Sequence, residues 1–161
     1  MKKISYIYLL LIISISIISC SGYKPIFNTS NLQFKITDYS ITGDKKIGNQ
    51  IYSKLYNATR KNKQAPEIKN INISIDSKKS KSITAKDSSG KAIGYRIILS
   101  TAVLVKNIKT GHEVINETIS LSNTYKVQKL FSETQKLEDK ATENLIDNIY
   151  QSLLLKLSEN I

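Results

Sequence analysis

The chain has 161 residues, a formal net charge of +11, one cysteine, one histidine and no tryptophan. A single cysteine excludes an internal disulfide, so an exported domain built from this chain must be held by its core alone. The basic balance calls for an anionic partner, whether membrane surface, lipopolysaccharide, nucleic acid or an acidic protein face; a general bias toward lysine, isoleucine and asparagine can also raise the charge with no functional meaning.

Lys2 and Lys3 precede Ile4 to Ser19, which is apolar or hydroxylic and carries no charge. That is the layout of a secretory signal peptide. At 16 residues the stretch falls short of the roughly 20 apolar residues that a helical membrane span requires, which argues against an uncleaved anchor. Its end, Ile17-Ile18-Ser19-Cys20-Ser21-Gly22, resembles the lipobox of bacterial lipoproteins. The resemblance implies lipid attachment at Cys20, cleavage just before it and acylation of the new amine. A thiolate is the nucleophile such alkylation needs, and the small Ser19 admits a peptidase. The alternative is a chance thiol after an ordinary cleavage site. Cleavage leaves 142 of the 161 residues, the size of one domain. It is read as a lipidated tether over 20–31, kept from regular helix by Pro25, and a single domain over 32–161. Export to the cell envelope sets nucleic acid aside as the anionic partner.

Leu32, Phe34 and Ile36 alternate with polar residues, which predicts a half-buried first strand. Thr42-Gly43-Asp44 ends it and offers a helix cap. Ile47, Ile51, Tyr52, Leu55 and Ala58 then share one helical face. Gly48 lies in that face at a cost of about 1 kcal/mol relative to alanine, which points to close approach to a sheet. Arg60, Lys61 and Lys63 suit the far end of the helix dipole, and Pro66 closes the region. A second strand starts near Ile68, runs through Ile71, Ile73 and Ile75, and extends with a bulge to Lys86. Asp87-Ser88-Ser89-Gly90 is a turn tetrad. Tyr95, Ile97, Leu99, Thr101, Val103 and Val105 alternate along a third strand. Ile98, Ala102 and Leu104 on its other face predict a central strand covered on more than one side. After Lys109-Thr110-Gly111, a fourth strand carries Ile115, Ile119, Leu121 and Tyr125 on one face. Asn116, Thr118, Ser120 and Ser122 occupy its other face, which is wet or packed on a polar partner. From about Glu133 the period becomes helical, with Leu137, Ala141, Leu145, Ile149, Leu153 and Leu157 recurring every fourth residue. The expected fold is α+β, in the order β-α-β-β-β-α, with both helices on one face of a four-stranded mixed or antiparallel sheet.

Catalytic chemistry is not legible. His112 sits beside a glycine turn, and no nucleophile–base pair assembles without it. No Cys/His cluster supports zinc, and Ser89-Gly90-Lys91 lacks the glycine-rich run of a phosphate loop. Asp38, Asp44, Glu138 and Asp139 fit strand-end, cap and helix-surface roles. The expectation is a protein that is not an enzyme and takes no cofactor or metal.

Cys20-Ser21-Gly22-Tyr23-Lys24-Pro25-Ile26-Phe27 resembles the mature start of LPS-assembly lipoproteins of the LptE type, with Ser21 as a small departure. A similar pattern follows in Tyr95-Arg96, in Thr110-Gly111, and in Ser122-Asn123-Thr124-Tyr125 leading into the last helix. The resemblance is diffuse and spans most of the mature chain. It implies two helices on a four-stranded sheet and a non-enzymatic role: an outer-membrane lipoprotein on the periplasmic face that plugs a β-barrel of the LptD type, helps it mature, and helps deliver lipopolysaccharide to the outer leaflet. Ser21 after the lipidated cysteine fits outer-membrane sorting in such lipoproteins. A structural envelope lipoprotein or secretion-system pilot is the alternative.

Between Lys78 and Arg96 stand six cations, Lys78, Lys79, Lys81, Lys86, Lys91 and Arg96, against the single acid Asp87. A hairpin tip concentrating them can bind lipid A phosphates, with Lys86, Lys91 and Arg96 as candidate contacts and Arg96 suited to bidentate pairing. Equally, such a run serves as a solvated hairpin that keeps an edge from aggregating.

Overall fold

Two helices lie side by side on one face of a four-stranded sheet. The computed structural model describes residues 34–60 and 68–160. The signal peptide, Cys20, the tether, Leu32, Lys61, Lys63 and Pro66 lie outside the described residues. The elements are β1 (Phe34–Gly43), α1 (Lys45–Arg60), β2 (Lys69–Lys86), β3 (Ala92–Asn107), β4 (Glu113–Lys126) and α2 (Phe131–Asn160). The sheet order is β1-β2-β3-β4. β1 runs parallel to β2, while β2, β3 and β4 form an antiparallel meander. The expected α+β architecture and element order are therefore those observed.

Gly43, at φ +69°, turns the chain out of β1, and a Cβ there would fall 2.2 Å from the Ser77 carbonyl oxygen. Asp44 then caps α1, its carboxylate accepting from the Ile47 amide at 3.1 Å. Ile47, Ile51, Leu55 and Ala58 are buried, as the helical spacing predicts. Gly48 does let the helix approach the sheet: a Cβ there would lie 2.5 Å from Cγ2 of Ile41. Tyr52 stacks between Tyr39 of β1 and Tyr56 one turn on, with centroid separations of 4.1 and 5.8 Å. A register shift between Ile36 and Asp38 reverses the facing of β1. Phe34 and Ile36 point inward before it, and Tyr39 reaches the helix side after it.

The core forms where the isoleucines of β2 (Ile71, Ile73, Ile75) and Ile97, Leu99, Val103 and Val105 of β3 meet α1 and the Leu145, Ile149, Leu153, Leu157 stripe of α2. Its one internal polar pair is satisfied, with Ser77 Oγ and Thr101 Oγ1 3.3 Å apart. Ion pairs clamp the periphery. Lys54 of α1 meets Asp147 of α2 at 2.7 Å, and Lys156 of α2 meets Glu117 of β4.

One expectation fails. β3 is central, but among the described residues it is covered on one face only. Ile98 and Leu104 are half-buried and Ala102 is exposed. Both helices pack on the opposite face, so among the described residues the partial shielding of Ile98 and Leu104 comes from their neighbours within the sheet.

Candidate functional site

The face of the sheet away from the helices has no cover among the described residues. Strand pairing places its side chains in rows across the sheet. One row reads Ser82, Arg96, Thr124; the next reads Ser80, Ile98, Ser122; then Lys78, Ser100, Ser120. Below them come Asp76, Ala102, Thr118, and Ser74, Leu104, Asn116. Serine, threonine and asparagine dominate, and the few apolar side chains sit singly on β3. Asn116, Thr118, Ser120 and Ser122 are all exposed on this face, as the alternation of β4 predicts. Ser40 and Ser74 hydroxyls bond to each other at 2.8 Å, and Asn72 donates to Asp38 at 3.0 Å. A shallow hollow of about 240 Å³, with Thr42, Asp76, Ala102, Leu104, Asn116 and Thr118 among its walls, opens here. The surface is broad and rich in hydroxyls, with Asp76, Lys78 and Arg96 as the charged side chains of these rows, so it can make many hydrogen bonds to a polar partner.

The basic hairpin is less concentrated than its sequence. Six cations over nineteen residues of extended chain are spread along two strands, and strand alternation sends neighbours to opposite faces. Lys79 and Lys81 sit on the helix side and both pair with Glu138 of α2, at 3.1 and 2.6 Å. The expected cluster of six at the tip is therefore corrected: two of the six are consumed by Glu138, and Lys78 lies mid-strand on the open face opposite Ser100. Lys86 ends β2 opposite Ala92. Lys91 closes the turn, where Asp87 accepts from the amides of Ser89 and Lys91, each at 2.9 Å, and Gly90 takes φ +83°. Arg96 stands on the open face between Ser82 and Thr124, whereas Lys91 lines a hollow on the helix side with Tyr95 and Phe131. Among the described residues, none of these three is ion-paired.

Glu138 is the residue that sequence reading placed wrongly, on the helix surface. Its carboxylate also accepts from the Tyr125 hydroxyl at 2.7 Å, so it joins β2, β4 and α2. The Lys81 ammonium, aided by Tyr125 and Lys79, holds its carboxyl down at about 2, against an opposing push from burial. Glu138 in turn holds Lys81 well above the usual lysine range, and the Lys81 ammonium lies 4.2 Å from the Tyr95 ring centroid. The signal was present in the sequence. Lys79 and Lys81 continue the odd-numbered face of Ile71, Ile73 and Ile75, which turns them toward the helix layer where Glu138 stands.

His112 is exposed beside the Gly111 turn. No group of three or more His, Cys, Asp or Glu among the described residues could hold a metal, and no described helix is long and apolar enough to cross a membrane.

No protein-family model matches the chain, and no curated protein sequence matches it. Solved structures do match its fold. It is similar to the lipoprotein B of Nitrosomonas europaea at 18% identity and TM-score 0.56, covering 83% of this chain and 88% of that one. Rare lipoprotein B from Shewanella oneidensis follows at 15% identity and TM-score 0.51, covering 72% and 92%. A minor lipoprotein from Acinetobacter baumannii gives 13% identity and TM-score 0.52, covering 76% and 91%. These likenesses establish the shared fold.

Proposed function

We propose that this chain is an outer-membrane lipoprotein, anchored through a lipidated Cys20 on the periplasmic face, that plugs and helps assemble a lipopolysaccharide-translocating β-barrel of the LptD type. The observation that carries the reading is the uncovered sheet face. A polar, hydroxyl-rich surface of this breadth suits the polar interior of an outer-membrane barrel better than it suits hydrocarbon. The rest of the chain is compatible. Its charge, +11 over the whole chain and +9 once Lys2 and Lys3 are removed with the signal peptide, would be drawn into a lumen carrying acids, and its fold is one found in bacterial lipoproteins. The lipobox-like run at Cys20 and the resemblance to LPS-assembly lipoproteins supply the membrane and the kind of barrel. In this reading the role is positional and not catalytic, with no cofactor and no nucleic acid partner. Lys86, Lys91 and Arg96 are the candidate contacts for lipopolysaccharide phosphates, reached from different sides of the hairpin.

Affinity purification of the full chain from outer membranes tests this reading. A large β-barrel that copurifies, and whose level falls when this chain is depleted, is the expected result. Copurification of a secretion ring, or of no barrel, would replace the plug with the structural or pilot lipoprotein. For the anchor, Cys20→Ser is expected to accumulate as full-length precursor. An unacylated mature N-terminus in the unaltered protein, read by intact mass, would remove the anchor from the account.

A further inference from the structure

Four large apolar side chains are exposed at one end of the sheet. They are Ile83 near the end of β2, Ile93 at the start of β3, and Leu130 and Phe131 where β4 passes into α2. Phe131 is 81% exposed and Leu130 59%. The fold brings them together. Ile83 lies opposite Tyr95, the Val127 amide donates to the Ile93 carbonyl at 3.0 Å, and Val127 and Phe131 wall the same hollow of about 410 Å³. Lys91 and Lys129 wall that hollow together with Glu138 and Asp139, Lys86 and Lys126 end β2 and β4 at the same end, and all four lysines are exposed. Among the described residues none of these four lysines is ion-paired. The acid of the turn, Asp87, is occupied by its own backbone and by Ser89, whose hydroxyl hydrogen bond is the main cause holding its carboxyl below the usual range. The opposite end differs in number: among the described residues Ile68 and Ile108 are exposed there, at 40% and 49%, the latter beside Lys109.

We propose that this tip docks onto the surface of an anionic phospholipid bilayer, with Phe131, Leu130, Ile93 and Ile83 entering the headgroup boundary and the four lysines meeting lipid phosphates. The composition selects this occupant. Protein interfaces are enriched in aromatic residues but depleted in lysine, and this tip carries four lysines around one phenylalanine. Aliphatic residues and phenylalanine ringed by lysine are instead the pattern of interfacial membrane contact, where each cation near an anionic surface contributes about a factor of five in affinity. The inference does not rest on the barrel reading, and it is spatially compatible with it. β2 has 18 residues and is about 60 Å long at roughly 3.3 Å per residue. A barrel's apolar band is about 25 Å tall, so one end of the domain can emerge from it.

The chain has no tryptophan, so Phe131→Trp and, as a control at the other end, Ile108→Trp each create a single reporter. The full chain carrying either one is mixed with phosphatidylcholine vesicles, with and without phosphatidylglycerol, and with lipopolysaccharide micelles. The expected result is a blue shift and several-fold stronger quenching by brominated lipid for Phe131→Trp in phosphatidylglycerol vesicles, with Ile108→Trp unshifted. Adding Lys86→Glu, Lys91→Glu and Lys126→Glu is expected to abolish the phosphatidylglycerol-dependent part while the far-ultraviolet circular dichroism is kept. The proposal is overturned by equal shifts at both reporters, by indifference to phosphatidylglycerol, or by a shift in lipopolysaccharide micelles alone. Barrel copurification by the Phe131→Trp chain separates failure of this proposal from failure of the plug.

Discussion

The two faces of the sheet are built from the same strands by opposite chemistry. On the helix side, Ile71, Ile73, Ile75, Ile97 and Leu99 are essentially inaccessible. One residue along each strand, the other side presents serine, threonine and asparagine to solvent. An antiparallel sheet with one wet face is ordinary, but here the wet face is broad and sets rows of serine, threonine and asparagine between a few charges, Asp76, Lys78, Arg96 and Lys106 among them. The contrast separates two tasks. One face holds the fold together, and the other is left available to a polar partner.

The contrast breaks most sharply in the core. Leu99→Ala or Ile149→Ala removes a fully buried side chain and is expected to cost about 2–5 kcal/mol, read as a lower urea midpoint. Gly48→Ala tests how tightly the covered face is packed. The added methyl meets Ile41, whose β-branched side chain is stiff, so overpacking of about 1–3 kcal/mol is expected to outweigh the gain in helix propensity. Combining it with Ile41→Ala should restore part of that loss; no relief in the double variant would mean that the contact is not the cause.

Glu138→Gln probes the edge of the covered face and should cost about 1 kcal/mol at neutral pH, by weakening charge-assisted hydrogen bonds. Because the folded-state value is about 2 against an ordinary 4.5, the stabilisation from this carboxylate is complete above the ordinary value and is lost as pH falls toward 2. Stability of the unaltered protein should therefore fall more steeply than that of the variant over that interval. Parallel stability curves would contradict the hub. At the small end, Thr118→Ala and Ser120→Ala on the open face should change stability by no more than about 0.5 kcal/mol, since both are exposed among the described residues.

Much of this division was legible in the sequence, because it is written in alternation. The inward isoleucines of β2, the outward hydroxyls of β4 and the fourfold-spaced leucines of α2 all follow from the periods of strand and helix. Three features were not legible, each for a physical reason. The bulge after Ile36 reverses the facing of β1 and hides Tyr39 as a partner for Tyr52, a contact that depends on a helix placed later. Ile98, Ala102 and Leu104 suggested a second cover, but Ala102 is exposed and Ile98 and Leu104 are half-shielded by in-sheet neighbours. The cation run between Lys78 and Arg96 looked like one cluster because sequence proximity was taken for spatial proximity. An extended strand sends Lys79 and Lys81 to Glu138 and leaves Lys78 and Arg96 facing the other way.

The open face as the partner surface is the central claim, and photocrosslinking reads it most directly. A photoreactive amino acid at Thr118 or Ser122, in the full chain expressed in its own envelope, is expected to capture the inner wall of a large outer-membrane β-barrel. Capture of soluble periplasmic proteins alone, from both positions, would contradict it.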